Sequence, residues 1–255
     1  MNGPMPIGFS QRIQLDWLEG TASLLLRGHE RRKIQAALHE MLQGRLSVGG
    51  AAERGNREKA ISILLKIWVT VPSGLRLFRD DGLAHLNRLP LTDRLPVHWG
   101  MTIAVYPFVN VVAEAVGRLL RLQGSCAAMQ VQRRLREQLG ERETVARAAR
   151  RILRCFIDWG VLQEAKEKGV YQSAPARLVT DKKLAAWLIE AMLRASGSTA
   201  APLKAIIQHP ALFPYVVGPL NIGDLEGHNR LECFRQGLDE EMVMLRNNTS
   251  MKKGP

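Results

Sequence analysis

The central stretch of the chain, residues 129–174, reads MQVQRRLREQLGERETVARAARRILRCFIDWGVLQEAKEKGVYQSA. Its apolar residues recur every three to four positions in two successive segments, which predicts two amphipathic helices. In the first helix, Val131, Leu135 and Leu139 form one apolar stripe. Gly140 is expected to end this helix, because glycine adopts the left-handed backbone of a helix C-terminus without a Cβ clash.

The second predicted helix runs from about residue 141 to Trp159, and Gly160 stops it. Acidic residues in its first turn suit the helix dipole, and we expect Thr144 to be its N-cap. The residues of its apolar stripe are Val145, Ala148 or Ala149, Ile152, Phe156 and Trp159.

Two short strands are predicted after this helix, at Val161-Leu162 and Val170-Tyr171, with the turn at Glu167-Lys168-Gly169. A helix, a turn, a second helix and a hairpin together resemble the winged helix-turn-helix superfamily. The residues that carry this resemblance are Glu143-Thr144-Val145, Ile152-Leu153 and Trp159-Gly160-Val161-Leu162. It covers residues 103–174 if residues 103–122 supply the first helix, and it identifies no particular family. The resemblance implies that the second helix enters the DNA major groove and that the hairpin contacts the flanking backbone or the minor groove.

The solvent side of the second helix is rich in arginine. Arg147, Arg151 and Arg154 are expected to share one face, with Arg150 at its edge, and no acid lies between Glu143 and Asp158. Clustered cations suit phosphate contacts, and arginine can also bind guanine edges through two hydrogen bonds. The further candidate DNA contacts are Arg142, Lys166, Lys168, Gln130, Arg133 and Arg134. A protein-binding face and a solvated face remain the alternatives.

The overall charge agrees with an anionic partner. The chain has 255 residues, a formal net charge of +12 and 46% hydrophobic residues, so it combines a globular composition with an excess of base that favours nucleic acid. A second basic run at residues 27–33 opens a predicted helix that extends to about Gln43. This run is either a charged helix start or a second phosphate-facing patch.

No motif in the sequence proposes catalysis. The six histidines form no HExxH pair, and the cysteines at 126, 155 and 233 lack zinc spacing, which fits a reducing cytoplasm. Nucleotide-binding and nucleophile-elbow motifs are absent. We therefore expect no cofactor, no metal and no catalytic residue. The N-terminus shows no signal peptide, and the longest apolar run, at 101–116, is too short to span a bilayer. We expect a soluble cytoplasmic protein from a bacterium.

The predicted fold is mainly α-helical. An N-terminal helical region covers residues 1–95, a winged-helix module with a short β-hairpin covers 96–195, and a C-terminal helical appendage with a disordered tail covers 196–255. Residues 1–12 are expected to form a loose arm, and one apolar helix is predicted at 101–124, kinked or begun by Pro107. A helix at 180–195 is expected to pack in the core rather than mediate self-association, and a final helix is predicted at 229–246.

Two functions of different kinds follow from this organisation. The first is a non-enzymatic protein that binds double-stranded DNA, as a regulator or as a subunit of a DNA-processing or phage-defence complex. The second is a helical scaffold subunit, or a homodimer, whose winged helix binds protein. A metal-dependent nuclease is a third and weaker alternative, because no spacing of carboxylates proposes it. A membrane partner is not expected.

Overall fold

The computed structural model describes residues 6–46, 55–237 and 240–246, and within them the chain is mainly α-helical, as predicted. The helices are α1 (Leu15–Leu26), α2 (Arg31–Met41), α3 (Asn56–Trp68), α4 (Arg76–Arg88), α5 (Leu95–Val105), α6 (Pro107–Gln123), α7 (Ala128–Leu139), α8 (Glu143–Asp158), α9 (Lys182–Ser196) and α10 (Leu203–Ile207). The strands are β1 (Ser125–Ala127), β2 (Leu162–Glu164), β3 (Val170–Ser173), β4 (Arg177–Val179), β5 (Ala200–Pro202), β6 (Tyr215–Val217), β7 (Leu231–Gln236) and β8 (Glu240–Leu245). Buried side chains from all three predicted segments belong to one continuous apolar core.

Helices α5 and α9 form the centre of this core. Every residue of α5 is buried, and α9 is buried from Leu184 to Ala195 except at Arg194. The two helices approach closely at Gly100, where a Cβ atom would lie 2.3 Å from the ring of Trp187. The prediction that this later helix packs in the core is therefore confirmed.

The predicted helix at 101–124 is two helices. Pro107 begins α6, and the chain bends by 116° between the helical segment that ends at Val105 and α6. Proline has no N–H to continue the preceding helix, but it is well suited to a first helical position. No single helix in the described ranges has both the length and the apolar character needed to cross a membrane.

The central stretch adopts the predicted helices and hairpin and gains one strand. Strand β1 lies between α6 and α7 and pairs with β3, so that an antiparallel sheet forms in the order β1-β3-β2. Cys126 in β1 stands opposite Tyr171 in β3. The sheet thus joins the start of α7 to the hairpin that follows α8.

The predicted final helix at 229–246 is wrong. These residues form the antiparallel strands β7 and β8, and β5 adds to them in the order β5-β8-β7. Leu231 and Val243 are buried, and Gly237 has a φ of +65°, which suits a turn and not a helix interior. The C-terminal helical appendage is therefore largely a small sheet, since among its described residues only α10 and short 3-10 turns are helical. The predicted disordered tail, 247–255, lies outside the described residues.

The N-terminal arm is docked, not loose, from Ile7 onward. Phe9 is buried and meets Tyr106 edge to face, with 5.2 Å between ring centroids. Arg12 forms an ion pair with Asp158 at the end of α8. Residues 1–5 of the predicted arm lie outside the described ranges.

Candidate nucleic-acid interface

Helix α8 begins one residue earlier than its predicted cap. Arg142 is the N-cap residue, with extended backbone, and its carbonyl accepts hydrogen bonds from Val145 (3.0 Å) and Ala146 (3.4 Å). No side chain caps this end. The prediction that Thr144 caps the helix is wrong, because Thr144 already lies within the first turn.

The inward side of α8 is fully packed. The buried residues include the whole predicted stripe of Val145, Ala148, Ala149, Ile152 and Phe156, each at most 2% exposed. A stripe buried to this degree fixes the rotation of the helix about its axis. The opposite side of α8 is therefore presented to solvent in a defined orientation.

The outward side of α8 carries the arginines. Arg147, Arg150 and Arg154 are exposed, and Arg151 is half-buried. Positions i, i+3 and i+7 of a helix share one face, so these three exposed side chains form a continuous stripe along the helix, here called the arginine stripe. Arg150, which was predicted at the edge, belongs to the stripe, and Arg151 takes the edge position.

Two members of the arginine stripe have carboxylate partners. The Nε of Arg147 donates to Glu143 one turn earlier, at 2.8 Å, and Arg154 donates to Glu164 in β2, at 3.0 Å. Within the part of the chain that the structure describes, Arg150 and Arg151 form no ion pair. The unpaired positive charge of this face therefore lies in the middle of the arginine stripe, at Arg150, and beside it at Arg151.

The hairpin turn lies where it was predicted. Gly169 has a φ of +81°, and the Ala165 N–H donates to the carbonyl of Val170 at 2.9 Å, which closes the turn. Lys166 and Lys168 are both exposed near its tip. Neither forms an ion pair among the described residues, so both ammonium groups are free to meet an anion.

Two of the candidate DNA contacts on α7, Gln130 and Arg133, already have partners within the protein. Gln130 supports the local fold, since its Oε1 accepts from the N–H of Ala127 at 3.0 Å and from Gln123 at 2.9 Å. These bonds occupy the amide oxygen, whereas a phosphate contact would use the Nε2 donor, so the anchoring role of Gln130 stays a prediction. Arg133 is exposed and lies 3.8 Å from Glu137.

Arg134 and Arg142 stand apart from the arginine stripe. Arg134 of α7 lines a groove of about 300 Å³ between α6 and α7, and Glu114 of α6 lines the same groove. The side chain of Arg142 donates to the carbonyl of Leu139 at 3.2 Å, within the turn between α7 and α8. Arg142 remains exposed at the entrance to α8, whereas Arg134 is directed to the groove beside α6.

The contacts that hold the C-terminal end of α8 could not be predicted from sequence patterns. The indole N–H of Trp159 donates to the carbonyl of Ile13 at 2.9 Å, and the Ile13 N–H donates to the sulfur of Cys155 at 3.1 Å. Burial raises the pKa of Cys155 to about 12, so its thiol stays protonated despite its arginine neighbours in sequence. No local pattern could reveal a pairing across such a separation in sequence.

A second candidate site is a cleft of about 570 Å³ between α4, α9 and residues 224–229. It contains His85 and His228, and burial is the main reason that the pKa of each imidazole is lowered. Its charged walls are largely paired within the protein, through Asp81 with Arg230, Arg88 with Asp181 and Lys182 with Asp224. In the described ranges, no group of three or more His, Cys, Asp or Glu side chains is placed to hold a metal. We assign this cleft no chemistry.

Comparisons of the chain with protein-family models, with curated proteins and with solved structures found no match. The geometry and charge of α8 and of the hairpin are therefore the observations that bear on function.

Proposed function

We propose that residues 107–173 form a winged-helix module that binds duplex DNA and that the protein acts without catalysis, as a regulator or as a subunit of a DNA-processing complex. Helix α8 would lie in the major groove, and the hairpin would contact the neighbouring backbone. The observation that carries the proposal is the arginine stripe, which lies directly opposite a fully buried side and is followed by a hairpin whose two lysines form no ion pair with the described residues.

The order of elements supports this interpretation. The hairpin expected from the resemblance is present, and β1 completes a three-stranded sheet that ties α6 and α7 to it. Because α8 and the hairpin share this support, their exposed cations keep a fixed relative position. A rigid pair of surfaces of this kind can match two adjacent features of a duplex without a large ordering cost.

The dimensions of α8 suit a major groove. Its 16 residues correspond to about 24 Å at the standard rise of an α-helix. A helix with its side chains is about 10–12 Å wide, which is close to the width of the groove in B-DNA. The arginine stripe spans eight residues, a rise of about 10 Å, so it can reach phosphates and base edges together.

The unpaired cations of α8 and the hairpin favour a polyanionic partner such as duplex DNA. In the described ranges, no carboxylate pairs with Arg150, Arg151, Lys166 or Lys168, and the chain has a net charge of +12. An exposed apolar helix at 101–116 would have favoured a protein partner, but the chain itself buries α5 and most of α6. This apolar run therefore does not call for a protein partner.

The proposal is tested by duplex binding, measured as fluorescence anisotropy across a salt series. About four to six phosphate contacts predict a slope of roughly −4 to −5 on a log–log plot of affinity against salt. Lys166→Ala/Lys168→Ala should weaken binding at low salt and make the slope shallower by about two. Binding that is absent, or that is insensitive to salt, contradicts the proposal, and the first result favours a protein-binding face.

A further inference from the structure

We infer that α8 selects duplexes that present guanine in the major groove and that Arg150 is the residue that reads it. This inference rests on the proposed function and adds the class of sequence that the module prefers. It comes from the side chains that α8 exposes and from the ion pairs that some of them form.

The exposed side of α8 carries few kinds of side chain that can contact base edges. The residues of α8 that are not buried are Glu143, Thr144, Ala146, Arg147, Arg150, Arg151, Arg154, Ile157 and Asp158. Adenine is read in the major groove chiefly by the amide of Asn or Gln, and α8 contains neither. Cytosine is read by carboxylates, but Glu143 and Asp158 are both paired with arginines. Thr144 and Ala146 can contact the methyl group of thymine, but neither carries a fork of two donors. The arginine fork, which binds O6 and N7 of guanine, is therefore the bidentate base-reading group that α8 offers.

Among the arginines, Arg150 has the position and the freedom that guanine recognition needs. Arg147 lies about one turn before Arg150 and Arg154 about one turn after it on the same face, and each is paired with a carboxylate. Arg151 is half-buried at the edge. Arg150 is exposed, forms no ion pair in the described ranges and stands between the two paired arginines. Its guanidinium can enter the groove without first breaking an ion pair.

The two paired arginines contact phosphate and not bases. A guanidinium that already donates to Glu143 or Glu164 has fewer free donors for a base edge, but its positive charge still attracts phosphate. Arg147 and Arg154 therefore position the helix along the backbone on either side of the base that Arg150 contacts. Positioning contacts of this kind carry no sequence information by themselves.

The test begins with a pool of 20-base-pair duplexes that have a randomised centre, which is selected for binding to the full chain and then sequenced. We expect the selected duplexes to share a guanine position. The best duplex is then remade with 7-deazaguanine at that position, because this base keeps Watson–Crick pairing and lacks the N7 acceptor. The wild-type protein should bind the modified duplex about 10-fold more weakly, within the range of a lost bidentate contact.

The decisive variant is Arg150→Ala, which removes every donor that could reach guanine at this position. It should bind the guanine and 7-deazaguanine duplexes equally, with a salt slope shallower by about one. Arg154→Ala is the matched control: it loses the same charge and should still distinguish the two duplexes about 10-fold. The inference is overturned if the pool shows no guanine preference although it binds, or if Arg150→Ala still discriminates. If the wild type binds no duplex at all, the proposed function itself fails, which is a separate result.

Discussion

The guanidinium of Arg154 lies 3.0 Å from the carboxylate of Glu164, and this ion pair joins the last turns of α8 to strand β2. The two side chains are 55% and 59% exposed, so the pair contributes little to the stability of the fold. Its importance is electrostatic. A carboxylate on the surface proposed to meet DNA offsets one of the cations on that surface.

Replacement of Glu164 by Gln should therefore tighten duplex binding. The change removes a negative charge that faces phosphate and leaves Arg154 free for an anionic partner. We expect an affinity gain of about 2- to 10-fold at low salt, equivalent to roughly 0.4–1.4 kcal/mol, and a smaller gain at high salt. Glu232→Gln, which makes the same change on the exposed side of β7, should leave affinity within about 2-fold. Equal effects of the two variants would show that only net charge matters.

Gly117 permits the close approach of α6 to the 3-10 turn at Pro210–Leu212. A Cβ at this position would lie 1.9 Å from the carbonyl oxygen of Pro210, a backbone atom that cannot move aside alone. Gly117→Ala should therefore destabilise the protein by about 3 kcal/mol or more, as overpacking against backbone does. Urea unfolding followed by circular dichroism measures this change.

The control for this variant is Gly74→Ala. No atom lies within 4 Å of a Cβ built on Gly74, so its free energy of unfolding should change by no more than about 1 kcal/mol. Similar losses at the two positions would mean that α6 does not pack against Pro210 as described.

His85 should make stability depend on pH. Burial, together with Arg88, lowers its pKa to about 4, from 6.5 for an exposed imidazole, although Asp181 and Asp81 act in the opposite direction. Between these values the unfolded chain binds a proton that the folded protein does not, so stability is complete above pH 6.5 and falls toward pH 4. The loss from this residue amounts to at most about 3 kcal/mol. His85→Gln should give a shallower decline over this range, and a decline of unchanged steepness would contradict the assignment.

The contact between Trp159 and Ile13 should anchor the end of α8. Trp159→Phe removes the indole donor and leaves the buried Ile13 carbonyl without its 2.9 Å hydrogen bond. Such a loss costs about 1–3 kcal/mol. Arg12→Gln, which breaks the more exposed ion pair to Asp158 in the same region, should cost less than about 1 kcal/mol. The indole contact is the stronger anchor if Trp159→Phe lowers the free energy of unfolding more than Arg12→Gln does, and the reverse order would contradict this.

Local patterns in the sequence predicted much of the central stretch. The stripe of α8 and the turn at Gly169 depend on short-range periodicity and on backbone conformation, and the structure confirms them. Gly140 ends α7 as predicted, but with a φ of 82° and a ψ of 164° it does not have the expected left-handed helical backbone. The helix predicted at 229–246 failed because β7 and β8 pair as a local hairpin that turns at Gly237, and because β5, which lies far away in the chain, adds to them. Strand β1 was missed because it exists only by pairing with β3, which comes much later in the chain.

The candidate interface could be predicted only in part. Periodicity placed Arg147 and Arg154 on the outward side of α8, but it did not reveal that Arg150 is more exposed than Arg151. The ion pair between Arg147 and Glu143 could be predicted from helical spacing. The ion pair between Arg154 and Glu164 could not, because it requires the hairpin to fold back beside α8. No sequence pattern around Gln130 indicated that its side chain accepts a hydrogen bond at the start of α7.

The most direct test of the proposed function compares two triple variants in duplex binding across a salt series. Arg147→Ala/Arg150→Ala/Arg154→Ala removes the arginine stripe, and Arg31→Ala/Arg32→Ala/Lys33→Ala removes three exposed cations at the start of α2. Both variants lose the same charge, and circular dichroism checks that both fold. We predict that the first variant loses at least about 10-fold in affinity with a shallower salt slope and that the second binds nearly as the wild type does. Loss of binding in the second variant alone, with the first unaffected, would place the DNA contact at α2 and contradict the role proposed for α8.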